Sequence, residues 1–381
     1  MNQKYDVIVI GAGAAGASTT YQLAKRGLRV LTLEQFAVGH DKGSTHGHSR
    51  IFRFAYDQLL YAQMAVRALE LWHELERDSG TKLYWQTGMY NFGGNDTAKI
   101  NRIEKVLETL GTSLEVMDAD AMHQRHPQWH PRADWKIIFS EFAGIVYPNL
   151  TLDVLVGMAR VYGATVLEHM PVTKLDLSDP NNPKVITQDE TFSVRKVVVT
   201  AGAWSSKLVP MLEGRMLVQD NLTAFFRPKN LADFAPERFP VFIQRDDEQV
   251  YGFPNFGLPG IKIALHATGD IVDPDKRQVL NSDARVTRLH TWLERYLPDA
   301  AGAYMQAKTC LYSNTHQEDF VIDFHPETKN VVVASPCSGH GFKFTPLLGE
   351  ILADMILGQS NSFVSPQFWV KNAARVFEKE Q

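Results

Sequence analysis

Cysteine is nearly absent from this chain of 381 residues: there are two, Cys310 and Cys337. Two thiols cannot build a disulfide framework, so a reducing, cytoplasmic compartment is expected. Long apolar runs are missing too. None reaches the roughly 18 residues of a membrane span. The opening MNQKYDVIVIGAG carries a short apolar run that stops at a glycine loop, unlike a signal peptide. The closing FEKEQ is not a peroxisomal address. Surplus positive charge is also lacking: the formal net charge is −4, which argues against a nucleic-acid partner. What the chain does have is length, enough for two domains and a sizeable core.

The first 34 residues read as strand, helix and strand. VIVI is a β-branched run suited to a buried parallel strand, AAGASTTYQLAKRG a helix ending at Gly27, and LRVLTLE a second strand. Between them, Gly11, Gly13 and Gly16 have the G-x-G-x-x-G spacing of a dinucleotide site. Gly11 permits the tight turn, Gly13 lets backbone approach a pyrophosphate, and Gly16 lets the helix pack on the strand. The helix N-terminus offers N–H groups and a positive dipole end to phosphate. Glu34, at the end of the second strand, suits ribose hydroxyls and disfavours a 2′-phosphate. The fingerprint alone leaves FAD and NAD both open.

Further along, residues 61–77 have helical apolar spacing, GMYNFGG reads as a strand, and 98–126 as mostly helical. LTLDVLVGMARVYGATV reads as a helix running into a strand, RKVVVTAGAWSSKLVPML as a strand, a glycine turn and a helix, and NVVVASPCSGHGFKFTPLLGEILADMIL as a strand, a glycine-rich loop and a helix. The stretch 205–320 reads as antiparallel strands with helices. The predicted class is α/β: a discontinuous Rossmann-like nucleotide domain (1–85, 145–215 and 321–381) plus a substrate domain (86–144 and 216–320) with a mixed or antiparallel sheet and helices.

Three segments concentrate cations. GSTHGHSRIFRFAY holds His46, His48, Arg50 and Arg53, read as a loop that is either solvated or set beside a cofactor. There an Arg would grip a carboxylate through a bidentate pair. The histidine spacing lacks a further ligand for a metal. GIKIALH alternates like a strand, which puts Ile261, Ile263 and Leu265 on one face and Lys262, Ala264 and His266 on the other. That second face either meets solvent or lines a cavity. SGHGFKF, with Gly339, Gly341, Phe342 and Lys343, is either a plain glycine turn or a loop closing over a cofactor. Cys310, in TCLYSNTHQED, is either a packing residue or a reactive thiol; buried free cysteine is common.

These stretches, with VIVIGAGAAGAS, VVVTAGAWSSKL and YGFP, occur in an order and spacing that resemble the monomeric sarcosine oxidase and N-methyltryptophan oxidase family, within the D-amino-acid-oxidase-like flavoproteins. The resemblance runs over nearly the whole chain. It implies FAD linked covalently to Cys310 and oxidation of the C–N bond of a secondary amino acid to an imine, with O2 reduced to hydrogen peroxide. A dehydrogenase passing electrons to another carrier is the alternative on the same fold. It implies that Arg50 and Lys343 hold the substrate carboxylate, that Lys262 activates oxygen, and that His266, Tyr251 and Tyr312 line the substrate pocket. It places Gly11, Gly13, Gly16, Glu34, His46, Ser49, Arg50, Arg53 and Val172 at the flavin, with the loop of Gly339, Gly341, Phe342 and Lys343. Small-molecule partners, no membrane or metal, and a monomer or small homo-oligomer complete the expectation. The family's acidic residue and threonine before the arginine are replaced by His48 and Ser49.

Overall fold

The computed structural model describes residues 4–94, 97–246, 248–277 and 284–374. The opening MNQ and the closing FEKEQ lie outside the described residues.

Strand Val7–Ile10 is buried at every position, as its β-branched composition requires for a place inside a parallel sheet. It pairs in parallel with Val30–Leu33 on one side and Lys196–Val199 on the other. Thr165–Leu167 extends the sheet beyond the first and Thr328–Ser335 beyond the second, and Val321–His325 closes one edge antiparallel. The sheet thus draws strands from three widely separated stretches of chain. Helices Ala14–Lys25, Pro148–Val161 and Thr345–Leu357 pack together beside it. The first and last touch closely: a Cβ on Gly349 would lie 2.2 Å from Ser18 Oγ.

A second sheet of nine strands is built mostly from antiparallel pairs. Its long arms are Leu217–Phe226 and Tyr304–Asn314, and Ile261–Leu265, Val250–Phe253 and Val241–Gln244 continue it. Met89–Gly93 joins through the sheet's parallel pair with Val241–Gln244. Helix Ala284–Tyr296 covers an aromatic core in which Phe242 stacks on Trp292 with ring centroids 5.5 Å apart. A three-stranded antiparallel unit, Arg50–Arg53, Ala143–Val146 and Tyr84–Gln86, completes the frame around the site.

The class is as expected, α/β with a discontinuous Rossmann-like sheet and a mixed, mainly antiparallel second sheet. Two local readings change, and one gains detail: residues 98–126 are mostly helical as expected, in two helices, Ala98–Thr109 and Ala119–Arg125, around a strand Leu114–Met117. That strand exposes Glu115 and Val116, so it lacks clean alternation. The helix expected after RKVVVT is one turn, Ser205–Leu208, ended by Pro210. The basic loop GSTHGHSRIFRFAY becomes strand at Arg50–Arg53.

Candidate active site

A cavity of about 600 Å³ opens between the loops at the C-terminal ends of the parallel strands and one face of the nine-stranded sheet. At its nucleotide end, Gly11 has φ +95°, and a Cβ there would sit 2.6 Å from the carbonyl oxygen of Thr200. A Cβ on Gly16 would sit 1.8 Å from Gly11 O, so this glycine serves packing of helix on strand and does not line the cavity. At Gly13 a Cβ would meet protein only at 3.6 Å, so the space it would fill is cavity. The helix beginning at Ala14 has no side-chain cap and no acidic residue in its first turn. Glu34 accepts from the N–H of Ala12 (2.8 Å) and of Phe36 (2.9 Å). Burial pushes its carboxyl upward, but His40 and these two N–H groups outweigh it, and the group is held below the ordinary carboxylate value. Val172, which opens strand Val172–Asp176, lines the same end.

The strand Arg50–Arg53 decides what the two arginines do. Arg50 turns to Ser44 and Cys310. Its Nη2 donates to Ser44 O at 2.9 Å and to Cys310 Sγ at 3.4 Å, and its Nη1 to Ser49 O at 2.9 Å. Cys310 is buried on the strand Tyr304–Asn314 and lines the cavity. Cys337 lies near by, its Sγ 3.8 Å from Ser44 Oγ. Lys262 is only 7% exposed, so its face lines the cavity and does not meet solvent. Its ammonium donates to Ser49 O (3.0 Å) and Ser49 Oγ (3.2 Å) and lies 4.5 Å from the centre of the Phe253 ring. Burial, then Arg50, pushes it well below the ordinary lysine value. Ser49 does not line the cavity; it holds Lys262 from behind. His46 is buried with no partner for Nε2, and burial and Arg50 hold it down at about 3. His48 is also lowered, by burial and by Lys308 and Lys262, so the position where the family commonly has an acid carries a neutral ring.

Arg53 points elsewhere. Its guanidinium lies 3.7 Å from the centre of the Tyr56 ring and donates to Ala55 O. Lys343 lies 5.6 Å from the same ring centre and donates to His340 O at 2.6 Å. Burial first, then Arg53 and Arg245, pushes Lys343 well below the ordinary value. Sequence grouped Arg50 with Lys343; in the structure Lys343 shares a ring with Arg53, and Arg50 sits with Cys310 and, through Ser49, with Lys262. Tyr251 and Tyr312 face each other, hydroxyl to hydroxyl, at 3.2 Å. His266 packs by Tyr312, with ring centroids 5.8 Å apart, and burial together with Arg245 holds it at about 3. Gly339 has φ +71°, and a Cβ there would lie 2.6 Å from the Tyr312 ring. Gly341 has no room for one, at 1.7 Å from Pro336 O, and Phe342 follows against Trp72. Sequence reasoning missed Tyr56, Arg245 and Lys99, which also line the cavity.

A family model described as FAD dependent oxidoreductase matches residues 6–355. The chain belongs to that family. Within it, the chain is 33% identical to monomeric sarcosine oxidase of Bacillus sp. (strain B-0618), over 94% of this chain and 93% of the relative. It is 34% identical to the Streptomyces avermitilis monomeric sarcosine oxidase, with 94% of each covered. It is 31% identical to N-methyl-L-tryptophan oxidase of Salmonella agona, over 94% and 96%. Among solved structures, a variant of NikD, an unusual amino acid oxidase, superposes with a TM-score of 0.84 at 25% identity over 97% of both chains. The chain is an FAD-dependent amine or amino-acid oxidase of the sarcosine oxidase type.

The residues fit FAD. The space before Gly13, the uncapped helix start and the Glu34 carboxylate suit a pyrophosphate and a ribose. The unpartnered Nε2 of His46 and the cationic wall of Arg50 and Lys262 suit an electron-rich ring system. No group of three metal-ligating side chains occurs among the described residues.

Proposed function

We propose that this enzyme oxidises the C–N bond of a secondary amino acid, N-methylated or cyclic, to an imine that then hydrolyses, with O2 reduced to H2O2. FAD, when bound, accepts the hydrogen and the two electrons. The observation that carries the reading is the placement of Arg53 and Lys343 on one tyrosine ring, inside the cavity that also holds Cys310 and Lys262.

Arg53 and Lys343 take the substrate carboxylate, and this fixes the α-carbon in the cavity. Tyr251, Tyr312 and His266 bound the space for the amine substituent. The surrounding cations favour the uncharged amine, whose nitrogen lone pair is needed for oxidation. Lys262, held by Ser49, supplies positive charge where oxygen is reduced. Arg50 is assigned to the cofactor wall and the thiol. Cys310, with the Arg50 guanidinium beside its sulfur, is proposed to hold FAD by a thioether at the 8-methyl carbon: that carbon would lose a proton, the sulfur would add to it, and the electron pair released would reduce the flavin and pass on to O2. Gly11, Gly13, Glu34, His46, Arg53, Val172, Gly339, Gly341 and Phe342 complete the proposed cofactor envelope, with Gly16 acting through the packing of helix on strand and Ser49 through Lys262. The proposed division is an FAD-binding part of 1–85, 145–215 and 321–381 and a substrate part of 86–144 and 216–320. The parallel sheet, which draws on all three of the former stretches, supports it. The scarcity of cysteine supports a cytoplasmic setting.

The test is a panel of sarcosine, N-methyltryptophan, pipecolate and proline, scored under air for peroxide and without air for flavin bleaching. Bleaching together with peroxide is expected. Bleaching without peroxide favours the carrier-linked dehydrogenase, and no bleaching with any secondary amino acid overturns the reading.

A further inference from the structure

Arg245 stands at the end of the strand Val241–Gln244 and lines the cavity. Its Nε and Nη2 donate to Oδ1 of Asn91, at 3.2 and 3.1 Å, and Asn91 is fully buried on the neighbouring strand Met89–Gly93. A neutral amide oxygen orients the guanidinium without cancelling its charge; a carboxylate in the same place would cancel it. Burial, then Arg53, lowers Arg245 to about 9, which still leaves it cationic at neutral pH. Lys99, on the helix Ala98–Thr109, lines the same wall, and burial and Arg245 lower it.

Charge is concentrated at this end. Arg53, Lys343, Arg245 and Lys99 line it; so do the carboxylates Asp57, Glu318 and Asp319, of which Asp57 and Glu318 act on Arg245 and Lys99 and Asp319 accepts from Tyr61 and Gln367. Asp57 is also 3.7 Å from Arg102, and Glu318 is half-exposed and 3.9 Å from His266. A substrate carboxylate on Arg53 and Lys343 leaves the Arg245 guanidinium, held by a neutral amide, facing the same cavity, and a buried charge is costly without an anion to meet it.

We propose that Arg245, with Lys99, receives a second anionic group carried on the substrate's side chain, so that the preferred substrates are N-alkylated dicarboxylic amino acids. The inference rests on the secondary-amine reading above and names the substrate class of the same site. Asn91 is a positioning residue in this scheme: it aims the guanidinium and touches no substrate.

The test has a turnover arm and a binding arm, both on the purified holoenzyme. N-methylglutamate is compared with its neutral isostere N-methylglutamine, and glutarate with butyrate as unreactive ligands read by the shift of the flavin absorbance. The diacid is expected to be preferred by roughly 10- to 100-fold in both arms, the range of one charge-assisted contact. Arg245→Gln should collapse that preference ratio, and Arg245→Lys should restore part of it; flavin content and the melting curve report whether each variant folds. Equal use of the amide and the acid, or a preference ratio that Arg245→Gln leaves intact, overturns the proposal. If glutarate binds preferentially and no secondary amino acid bleaches the flavin, the anion site stands and the amine-oxidation reading falls. If sarcosine is oxidised and glutarate binds no better than butyrate, the reverse holds.

Discussion

Arg50 and Cys310 share one acceptor: the Ser44 carbonyl takes hydrogen bonds from Nη2 of Arg50 at 2.9 Å and from Sγ of Cys310 at 3.4 Å, while that same Nη2 approaches the sulfur to 3.4 Å. A guanidinium so fixed places a permanent positive charge beside the sulfur, since arginine stays charged. If Cys310 anchors the cofactor, acid-precipitated wild-type protein keeps its yellow colour in the pellet and Cys310→Ser loses it to the supernatant. Colour retained by Cys310→Ser refutes the anchor. Cys337→Ser is the matching control and should behave as wild type.

Lys262 has one polar tether, Ser49, and one aromatic neighbour, Phe253. Lys262→Met removes the charge and keeps most of the volume. Stopped-flow traces should show reoxidation by O2 slowed by roughly 10²-fold, the scale of one lost electrostatic stabiliser, with a much smaller effect on anaerobic reduction. Equal losses in the two half-reactions would contradict the assignment.

Arg53 and Lys343 should behave as a pair. Arg53→Gln and Lys343→Met are each expected to lower kcat/KM for sarcosine by roughly 10²- to 10³-fold, because the carboxylate handle orients the reacting carbon. Arg50→Gln should act chiefly on retention of the cofactor. A loss of substrate affinity in Arg50→Gln that exceeds the loss in Arg53→Gln would restore the grouping expected from sequence.

His46 predicts a pH dependence of stability. Its folded value is about 3 and its unfolded value is near the usual 6.5. Between these, the unfolded chain binds a proton that the folded chain refuses, so stability falls as pH drops below about 6.5, by up to about 1.4 kcal/mol per pH unit from this residue. Urea midpoints of the holoenzyme at pH 7, 6 and 5 should decline more steeply in wild type than in His46→Asn. Parallel declines would show that the ring is not held neutral.

The nucleotide end of the site was legible because it is local. Gly11, Gly13, Gly16 and Glu34 lie within one strand-helix-strand unit, and each answers to a steric demand that spacing alone expresses. Cys310, Lys262 and Lys343 were legible through the motifs that surround them. The partner of Lys343 was not. Arg50 and Arg53 are three apart, so on a strand they face opposite ways, whereas in a loop that parity carries no meaning. Reading GSTHGHSRIFRFAY as a loop hid the separation. Arg245 and Lys99 stand in no motif at all. Only the parallel pairing of Val241–Gln244 with Met89–Gly93 brings Arg245 to Asn91.

The parallel sheet that carries the nucleotide site has a kinetic consequence. Val7–Ile10 and Thr328–Ser335 flank the same central strand, Lys196–Val199, so the sheet cannot be completed until the ribosome has released residues more than three hundred positions apart. Contacts of such high sequence separation fold slowly. The glycine turn at Gly11 would therefore be made early as local structure and gain its supporting strands late. During synthesis the apolar edge of Val7–Ile10 waits without its neighbour, the interval in which aggregation or chaperone capture competes with folding.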